Sequence, residues 1–373
     1  MQVPIRCMLG RGGTSKAAYF LDSDLPSDPK ARDAVLLSLM GSPDARQIDG
    51  LGGAHPLTSK VAVVCKSRDA GADIDFLFGQ IIPDKDVVDT TPNCGNILAG
   101  VGPFAIERGL IQAKDGVTLV KVRTVNTGTI AELAVDTPGG HVNYEGDARI
   151  DGVPGTAAAI PIDFLDAEGS VCGSLLPTGN VVDTIAGVNC TLIDNGMPVI
   201  VLAAQAVGRT GYEYHTDLNK DAALKAMLEE IRLLAGPMMN LGDVAAKVVP
   251  KLCLVAPPAT PGGSICTRSF IPHEAHAAIG VFAAVTVATA CVLPGSPANR
   301  VVRLPQGKSK TLSVEHPTGE FSVRIEVGGT PEKPVIERAG LLRTARMLFD
   351  GQAFVKRSVF EGLDTAPLRI AAE

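Results

Sequence analysis

Aromatic side chains are scarce in this sequence: they make up 4% of its 373 residues, and tryptophan is absent. The chain therefore lacks the stacking surfaces on which proteins commonly bind nucleobases or sugars. It also lacks an excess of basic residues, since 34 Lys and Arg stand against 40 Asp and Glu. A net charge of −6 argues against a nucleic-acid partner. An anionic small-molecule substrate would need cations and N–H groups gathered locally.

The eight cysteines form no C-x-x-C pair and no Cys/His cluster at zinc spacing. Scattered cysteines are typical of reduced thiols, so we expect a cytoplasmic protein without a structural metal. The first residues show no secretory signal. The longest uncharged run, 277–293, has 17 residues and ends at Pro294, which is too short and too weakly apolar for a membrane span. No membrane partner is expected.

The length predicts more than one domain, at about 100 to 200 residues per domain. A hydrophobic share of 46% and a charged share of 20% are typical of globular chains. We expect a first domain at 1–160 and a second at 161–345. The segment 346–373 is expected to return to the first domain.

The first half of the chain alternates short strands with loops and contains two helical patterns. An amphipathic helix is predicted at 28–40, ended by Gly41 and Pro43. A second helix, 94–108, is apolar on all sides and reads as buried. A glycine-rich loop is expected at 10–16. Predicted strands surround these elements, at 3–8, 17–21, 74–82, 117–124, 130–135 and 141–144, with another beginning at Lys60.

The second half repeats this order of strand, loop and apolar helix. A strand at 199–204, an amphipathic helix at 221–235 and a strand at 251–256 precede a long buried helix at 277–291. Another strand is predicted at 157–164. The recurrence indicates a duplicated α+β architecture, in which a mixed sheet surrounds one apolar helix in each half.

Two residues in this pattern suggest proton-transfer chemistry. Cys94 stands where the apolar helix begins, and unpaired N–H groups at a helix start stabilise thiolates and bound carboxylates. Lys60 opens an apolar strand, where desolvation lowers the pKa of an amine toward that of a base working near neutral pH. In the alternative reading, Cys94 is a small core residue and Lys60 a solvated strand end.

Seven short motifs stand in a fixed order along the chain: RGGTSK at 11–16, DGLGG at 49–53, TSK at 58–60, NCGN at 93–96, DNGMP at 194–198, NLGD at 240–243 and RSFIPH at 268–273. In this order they resemble the motifs of the PrpF-type isomerases, a family that includes 2-methylaconitate isomerase and 4-oxalomesaconate tautomerase. The resemblance extends from the N-terminus to RTAR at 343–346.

The resemblance implies a diaminopimelate epimerase-like fold, with two similar barrel domains, each around a central helix, and an active site in the cleft between them. It implies Lys60 as the catalytic base, with Cys94 close by. A two-cysteine racemase is disfavoured, because the second half has His273 and no cysteine at the matching place. The expected substrate-binding residues are Arg11, Gly12, Gly13, Thr14, Ser15, Ser59, Asn93, Gly95, Asn96, Asn195, Arg268, Ser269 and His273.

The activity that the resemblance implies is proton transfer on an unsaturated tricarboxylate, with keto–enol tautomerisation of 4-oxalomesaconate in gallate breakdown as the expected reaction. Proton abstraction beside a ketone needs a base, an oxyanion site and carboxylate clamps, and no cofactor or metal. The alternatives are an allylic double-bond shift, isomerisation of aconitate or 2-methylaconitate, and a non-catalytic carboxylate-binding protein. A homodimer is expected because most soluble oligomers are symmetric pairs.

Overall fold

The structure, a computed structural model, describes residues 2–165, 167–330 and 333–361. Within these residues the chain divides into two compact units. Unit 1 comprises residues 2–149, 153–160 and 343–361, and unit 2 comprises 150–152, 161–165, 167–330 and 333–342. The residues 362–373 of the predicted C-terminal segment lie outside the described residues.

Unit 1 contains a mixed sheet and two longer helices. Its strands pair in the order β1-β2-β3-β4-β6-β7, with the short β5 beside β4. The pairs β2–β3 and β4–β6 are parallel, and the other pairs are antiparallel. The elements are β1 (Gln2–Gly12), β2 (Ser15–Leu21), α1 (Pro29–Met40), β3 (Lys60–Lys66), β4 (Ile74–Ile81), β5 (Val88–Asp89), α2 (Gly95–Glu107), β6 (Gly116–Thr124) and β7 (Ile130–Thr137).

The helix α2 is the centre of unit 1. It contacts β1, β2, β3, β4, β6 and β7, so the sheet curves around it. Every residue from Ile97 to Ala105 is buried, which explains why its sequence has no polar face. The other long helix of the unit, α1, has the usual caps at both ends. Asp28 Oδ1 accepts a hydrogen bond from Ala31 N at its start, and Gly41 ends it with a left-handed backbone conformation.

Unit 2 repeats this arrangement. Its strands pair in the order β9-β10-β11-β12-β13-β14-β15, and β15 pairs with the first half of β16. The second half of β16 belongs to unit 1, where it pairs with β1. After β8 (Ala159–Phe164) come β9 (Asp183–Ile185), β10 (Val188–Asp194), β11 (Pro198–Ala203), α3 (His215–Lys220), α4 (Ala222–Met238), β12 (Lys251–Ala256), β13 (Ile265–Phe270), α5 (Val281–Val292), β14 (Ser309–His316), β15 (Gly319–Thr330), β16 (Lys333–Lys356) and α6 (Arg357–Phe360).

The two units share one order of elements. In unit 1 a helix separates the parallel strands β2 and β3, and in unit 2 helices separate the parallel strands β11 and β12. The buried helices α2 and α5 stand at the same place, between β4 and β6 and between β13 and β14. The α+β class, the duplication and the apolar helix in each half are therefore confirmed.

Three local predictions were wrong. The glycine-rich segment 10–16 is not an open loop, because Gly12 pairs with Ser15 and only two residues turn between β1 and β2. The segment 141–144 is not a strand, since two glycines with positive φ turn the chain before it and its backbone hydrogen bonds, such as Asn143 N to the Asp136 carbonyl oxygen, form no ladder. The buried helix of unit 2 begins at Val281, four residues later than predicted.

Within the described residues, no helix is long and apolar enough to cross a membrane. The same part of the chain contains no group of three or more His, Cys, Asp or Glu side chains placed to hold a metal ion.

Candidate active site

Lys60 is the first residue of β3, between Ala17 of the parallel strand β2 and Gln80 of the antiparallel strand β4. Its side chain is almost enclosed, with 7% of the residue surface exposed. The ammonium donates to Gln80 Oε1 and lies 5.2 Å from the centre of the Phe78 ring. Burial lowers the pKa of Lys60, and the nearby Cys94 opposes that shift. The amine is thus easier to deprotonate than a surface lysine.

Gln80 fixes the position of the Lys60 amine, and the sequence patterns did not reveal it. Its Nε2 donates to the carbonyl oxygens of Pro56, Ser59 and Ile81, at 3.1, 2.9 and 3.2 Å. These bonds orient the amide so that Oε1 faces Lys60. The one available signal was a polar residue inside an apolar strand.

Cys94 is the N-cap residue of α2, in extended conformation at φ −136° and ψ 98°. Its carbonyl oxygen accepts the first helical bond, from Leu98 N at 2.9 Å, while its side chain makes no capping bond. The sulfur is partly exposed and close enough to Lys60 to affect its titration. The N–H groups of Gly95 and Asn96 follow, where the helix dipole favours negative charge. A carboxylate or an enolate fits this position.

The turn between β1 and β2 packs against the first residues of α2. Asn96 Nδ2 donates to Thr14 Oγ1 at 3.0 Å and to Ser15 Oγ at 3.5 Å. A Cβ atom on Gly12 would lie 2.3 Å from the Asn96 carbonyl oxygen, and one on Gly13 would lie 2.1 Å from Asn96 Oδ1. Only glycine allows this approach. The predicted residues of the turn and of the helix start therefore form one cluster.

Two arginines donate hydrogen bonds that hold this cluster in place. Arg11 Nη1 donates to the carbonyl oxygen of Gly13 at 2.9 Å and to both oxygens of Thr344, at 3.0 and 2.9 Å. Arg343, which the sequence did not mark as a site residue, donates from Nε to Asn96 Oδ1 at 3.2 Å. Part of the Arg11 guanidinium is thus used to hold the turn.

The Ser59 hydroxyl is bonded within the protein, whereas Asn93 keeps one side-chain oxygen without a partner among the described residues. Ser59 is fully buried and its hydroxyl donates to Gln47 Oε1 at 2.6 Å, so this group stabilises the loop before Lys60. Asn93 Nδ2 donates to Thr127 Oγ1 at 2.5 Å. Its Oδ1 is buried and has no hydrogen-bond partner among the described residues. That oxygen is a free acceptor directly before Cys94.

In unit 2, Asn195 is tied to the buried helix α5. Its Nδ2 donates to Thr289 Oγ1 at 2.9 Å, and its carbonyl oxygen accepts from Thr286 Oγ1 at 3.1 Å. The next residue, Gly196, has a φ of +86°, and a Cβ there would lie 2.5 Å from the Phe282 ring. The segment thus anchors the turn before β11 to the helix, and the Asn195 amide is already bonded within the protein.

Arg268 and Ser269 are adjacent on β13 and project to opposite faces of the sheet. Arg268 donates from Nε to the Glu213 carbonyl oxygen at 2.5 Å and from Nη1 to the Thr267 carbonyl oxygen at 2.7 Å. Ser269 is 1% exposed, and its hydroxyl has no partner among the described residues. The structure does not bring these two side chains together.

His273 lies in the loop after β13, with about half of its side chain exposed. Its Nδ1 is 3.4 Å from Glu229 Oε2, on α4. Glu229 also accepts two hydrogen bonds from the fully buried Arg232. His273 therefore contacts α4 through Glu229. Its role in substrate binding stays a prediction.

Known proteins are similar to this chain over most of its length. One curated relative, the (4E)-oxalomesaconate Delta-isomerase of Novosphingobium sp. strain KA1, is 60% identical over 94% of this chain and 97% of its own. Another, the 4-oxalomesaconate tautomerase of Pseudomonas putida, is 55% identical over 97% and 99%. A crystal structure of methylitaconate-delta-isomerase superposes with a TM-score of 0.83 at 35% identity, covering 96% and 97% of the two chains.

These relatives confirm two predictions, namely the family of the chain and its activity as an isomerase. The family model described as PrpF protein matches residues 2–356, which includes both Lys60 and Cys94. The chain belongs to the PrpF family.

Proposed function

We propose that this protein catalyses cofactor-independent proton transfer on an unsaturated tricarboxylate, and that its substrate is 4-oxalomesaconate. One observation carries the proposal: an enclosed lysine with a lowered pKa stands beside a cysteine at the positive end of a buried helix. Such a pair supplies a base and a site for the developing negative charge. The relatives named for 4-oxalomesaconate, at 60% and 55% identity, support the choice of substrate.

In the keto form of 4-oxalomesaconate, the CH2 group between the ketone and the conjugated alkene is acidic. The neutral Lys60 amine removes one of its protons, and the electron pair moves into a dienolate. The N–H groups at the start of α2 stabilise the enolate oxygen or a substrate carboxylate. Protonation at oxygen gives the enol, and protonation at the far carbon gives a shifted alkene. Cys94 is proposed as the second acid/base or as a contact that holds the substrate.

The second candidate is the allylic double-bond shift, which uses the same groups. It is favoured by the 60% identical relative, which is named a Delta-isomerase. Isomerisation of aconitate or 2-methylaconitate, with the same base and a different substrate, remains the further alternative. A non-catalytic carboxylate-binding protein is disfavoured by the presence of both Lys60 and Cys94, the pair that proton transfer needs.

Proton NMR of 4-oxalomesaconate in D2O, with and without the purified protein, tests the proposal. Faster loss of the CH2 signal with accumulation of the enol supports the tautomerase, and a new vinyl pattern supports the allylic isomerase. If neither exchange nor a new species is accelerated, the substrate assignment is wrong. The same experiment with aconitate and 2-methylaconitate then decides between another isomerase and a binding protein.

The cytoplasmic location and the homodimer belong to this proposal. All eight cysteines are free thiols, six of them buried, which suits a reducing compartment. Size-exclusion chromatography with light scattering measures the assembly, and a mass near that of a single 38.7 kDa chain would contradict the homodimer.

A further inference from the structure

The duplication gives Lys60 a counterpart in unit 2. Lys60 is the first residue of β3 and faces Ala17 across the parallel pair with β2. Lys251 is the first residue of β12 and faces Val199 across the parallel pair with β11. Both strands follow a helical connection between the strands of the parallel pair, and both precede an antiparallel partner. The same topological position therefore carries a lysine in each unit.

The two lysines also stand in the same relation to the buried helix of their own unit. Lys60 interacts electrostatically with Cys94, the N-cap of α2. Lys251 Nζ lies 3.5 Å from the point where Gly280, the N-cap of α5, would carry a Cβ atom. An ammonium at the positive end of a helix is repelled by the helix dipole. An anion bound between the two would turn this repulsion into attraction on both sides.

Among the described residues, no protein group takes the place of that anion. Lys251 is partly buried, yet its ammonium has no hydrogen-bond or ion-pair partner among the described residues. Burial alone lowers the pKa of Lys251. A partly buried cation without a counter-ion is unfavourable unless a ligand supplies one. The cation thus fits a site that is completed by an anionic ligand.

A second unpaired group lies on the same face of the sheet. Cys253 is two residues beyond Lys251 and stands opposite Ser269 in the pair β12–β13, so these three side chains leave the sheet on one side. Cys253 interacts electrostatically with Cys291 of α5, which identifies that side as the one facing the helix. Ser269 is 1% exposed, and its hydroxyl has no partner among the described residues.

We propose that Lys251 binds a carboxylate of the substrate, together with the Ser269 hydroxyl and the first N–H groups of α5. The inference rests on the proposed function for the identity of the substrate, and its geometry lies entirely within unit 2. Lys251 has a binding role here, because an ammonium at a helix start attracts a carboxylate whether or not a proton moves.

The variants Lys251→Met and Lys251→Arg test this inference, with Lys220→Met as the matched control. Lys220 also lies in unit 2, but its side chain is 80% exposed. The measurements are KM and kcat for 4-oxalomesaconate, the Kd of propane-1,2,3-tricarboxylate by calorimetry, and the thermal midpoint. The tricarboxylate probe has no acidic CH2 beside a ketone, so its binding is independent of turnover.

We expect Lys251→Met to raise KM and the probe Kd by about 10- to 100-fold, the usual loss for a hydrogen bond to a charged group. Lys251→Arg should recover most of the affinity, and Lys220→Met should match the wild type. The thermal midpoint of Lys251→Met should not fall, because the ammonium has no partner to lose within the part of the chain that the structure describes. If the wild type binds the probe but does not turn over 4-oxalomesaconate, the proposed function fails. The binding role of Lys251 is then tested by the probe Kd of the variants alone.

Two outcomes would overturn the inference. One is a Lys251→Met variant whose probe Kd and KM stay within about twofold of the wild type, which is below the effect of one charged hydrogen bond. The other is a loss of affinity that accompanies a lower thermal midpoint and that arginine does not restore, since this would show a structural role for Lys251.

Discussion

Lys60 Nζ donates to Gln80 Oε1, and the two residues are direct partners across the pair β3–β4. Three backbone carbonyls hold the Gln80 amide from its other end. This hydrogen bond uses one N–H group of the amine. The other N–H group and, in the neutral amine, the lone pair are left for the substrate. A neutral glutamine also leaves the lysine free to lose its proton, whereas a carboxylate at that position would favour the charged form.

Lys60→Met should remove the proton transfer. The methionine keeps the length and the apolar contacts of the side chain but offers no base, so we expect kcat for solvent exchange to fall by about 10²- to 10⁴-fold. The measurement is loss of the CH2 signal in D2O. Lys66→Met, at the exposed far end of the same strand, is the control and should exchange at the wild-type rate. Wild-type exchange by Lys60→Met would exclude Lys60 as the base.

Gln80→Glu should move the pH dependence of catalysis. The new carboxylate stabilises the charged amine, so the pKa of Lys60 rises and the activity needs a higher pH. The pH profile of kcat/KM measures this shift. Gln205→Glu, on an exposed turn, adds the same charge elsewhere and should leave the profile in place. An unmoved profile for Gln80→Glu would show that Gln80 does not act on the base.

The lowered pKa of Lys60 also predicts how stability depends on pH. Between the folded pKa and the ordinary value of 10.5, the unfolded chain binds more protons at this residue than the folded chain. The free energy of unfolding contributed by Lys60 therefore rises with pH through this window. Relative to Lys60→Met, the wild type should gain stability as the pH approaches 10.5. Urea titrations of both proteins at several pH values measure it, and a parallel pair of curves would contradict the lowered pKa.

His316 predicts a similar effect in the acid range. Burial lowers its pKa to about 4, so between about 4 and 6.5 the unfolded chain holds the additional proton. Its contribution to the free energy of unfolding is complete above 6.5 and is lost as the pH falls through this window. His316→Gln should therefore flatten the pH dependence of urea unfolding there. An unchanged slope for His316→Gln would contradict the lowered pKa.

The sequence predicted the local features of the site better than its long-range ones. The apolar run after Lys60 and the small residues after Cys94 mark a strand start and a helix start, and both lie where expected. Gln80 and Arg343 were missed, because strand register and a contact across 247 residues of chain bring them to the site. No local pattern encodes those pairings.

The second half shows the same limit. The resemblance gave Arg268 and Ser269 together as expected binding residues, and their opposite directions on the sheet became visible only with the strand β13. Lys251 was not singled out, because it lies in none of the seven motifs. Its position became informative only after the duplicated topology showed that it matches Lys60.

Cys94→Ser separates two roles of the thiol. If Cys94 transfers a proton, the serine hydroxyl is a far weaker acid, and kcat should fall by about 10²-fold with little change in KM. If the residue only holds the substrate, KM should change more than kcat. Steady-state kinetics measure the split. Cys65→Ser, at a partly buried thiol of β3, is the control and should leave both constants near the wild type.

Gly12→Ala should disturb the site through the turn that packs on α2. An added Cβ would lie 2.3 Å from the Asn96 carbonyl oxygen, so the turn or the helix start must move. We expect a loss of about 1–3 kcal/mol in the free energy of unfolding, typical of overpacking, and a raised KM. Gly262→Ala, where a Cβ meets open space, is the control. Wild-type stability and KM for Gly12→Ala would mean that the turn tolerates displacement and does not position substrate.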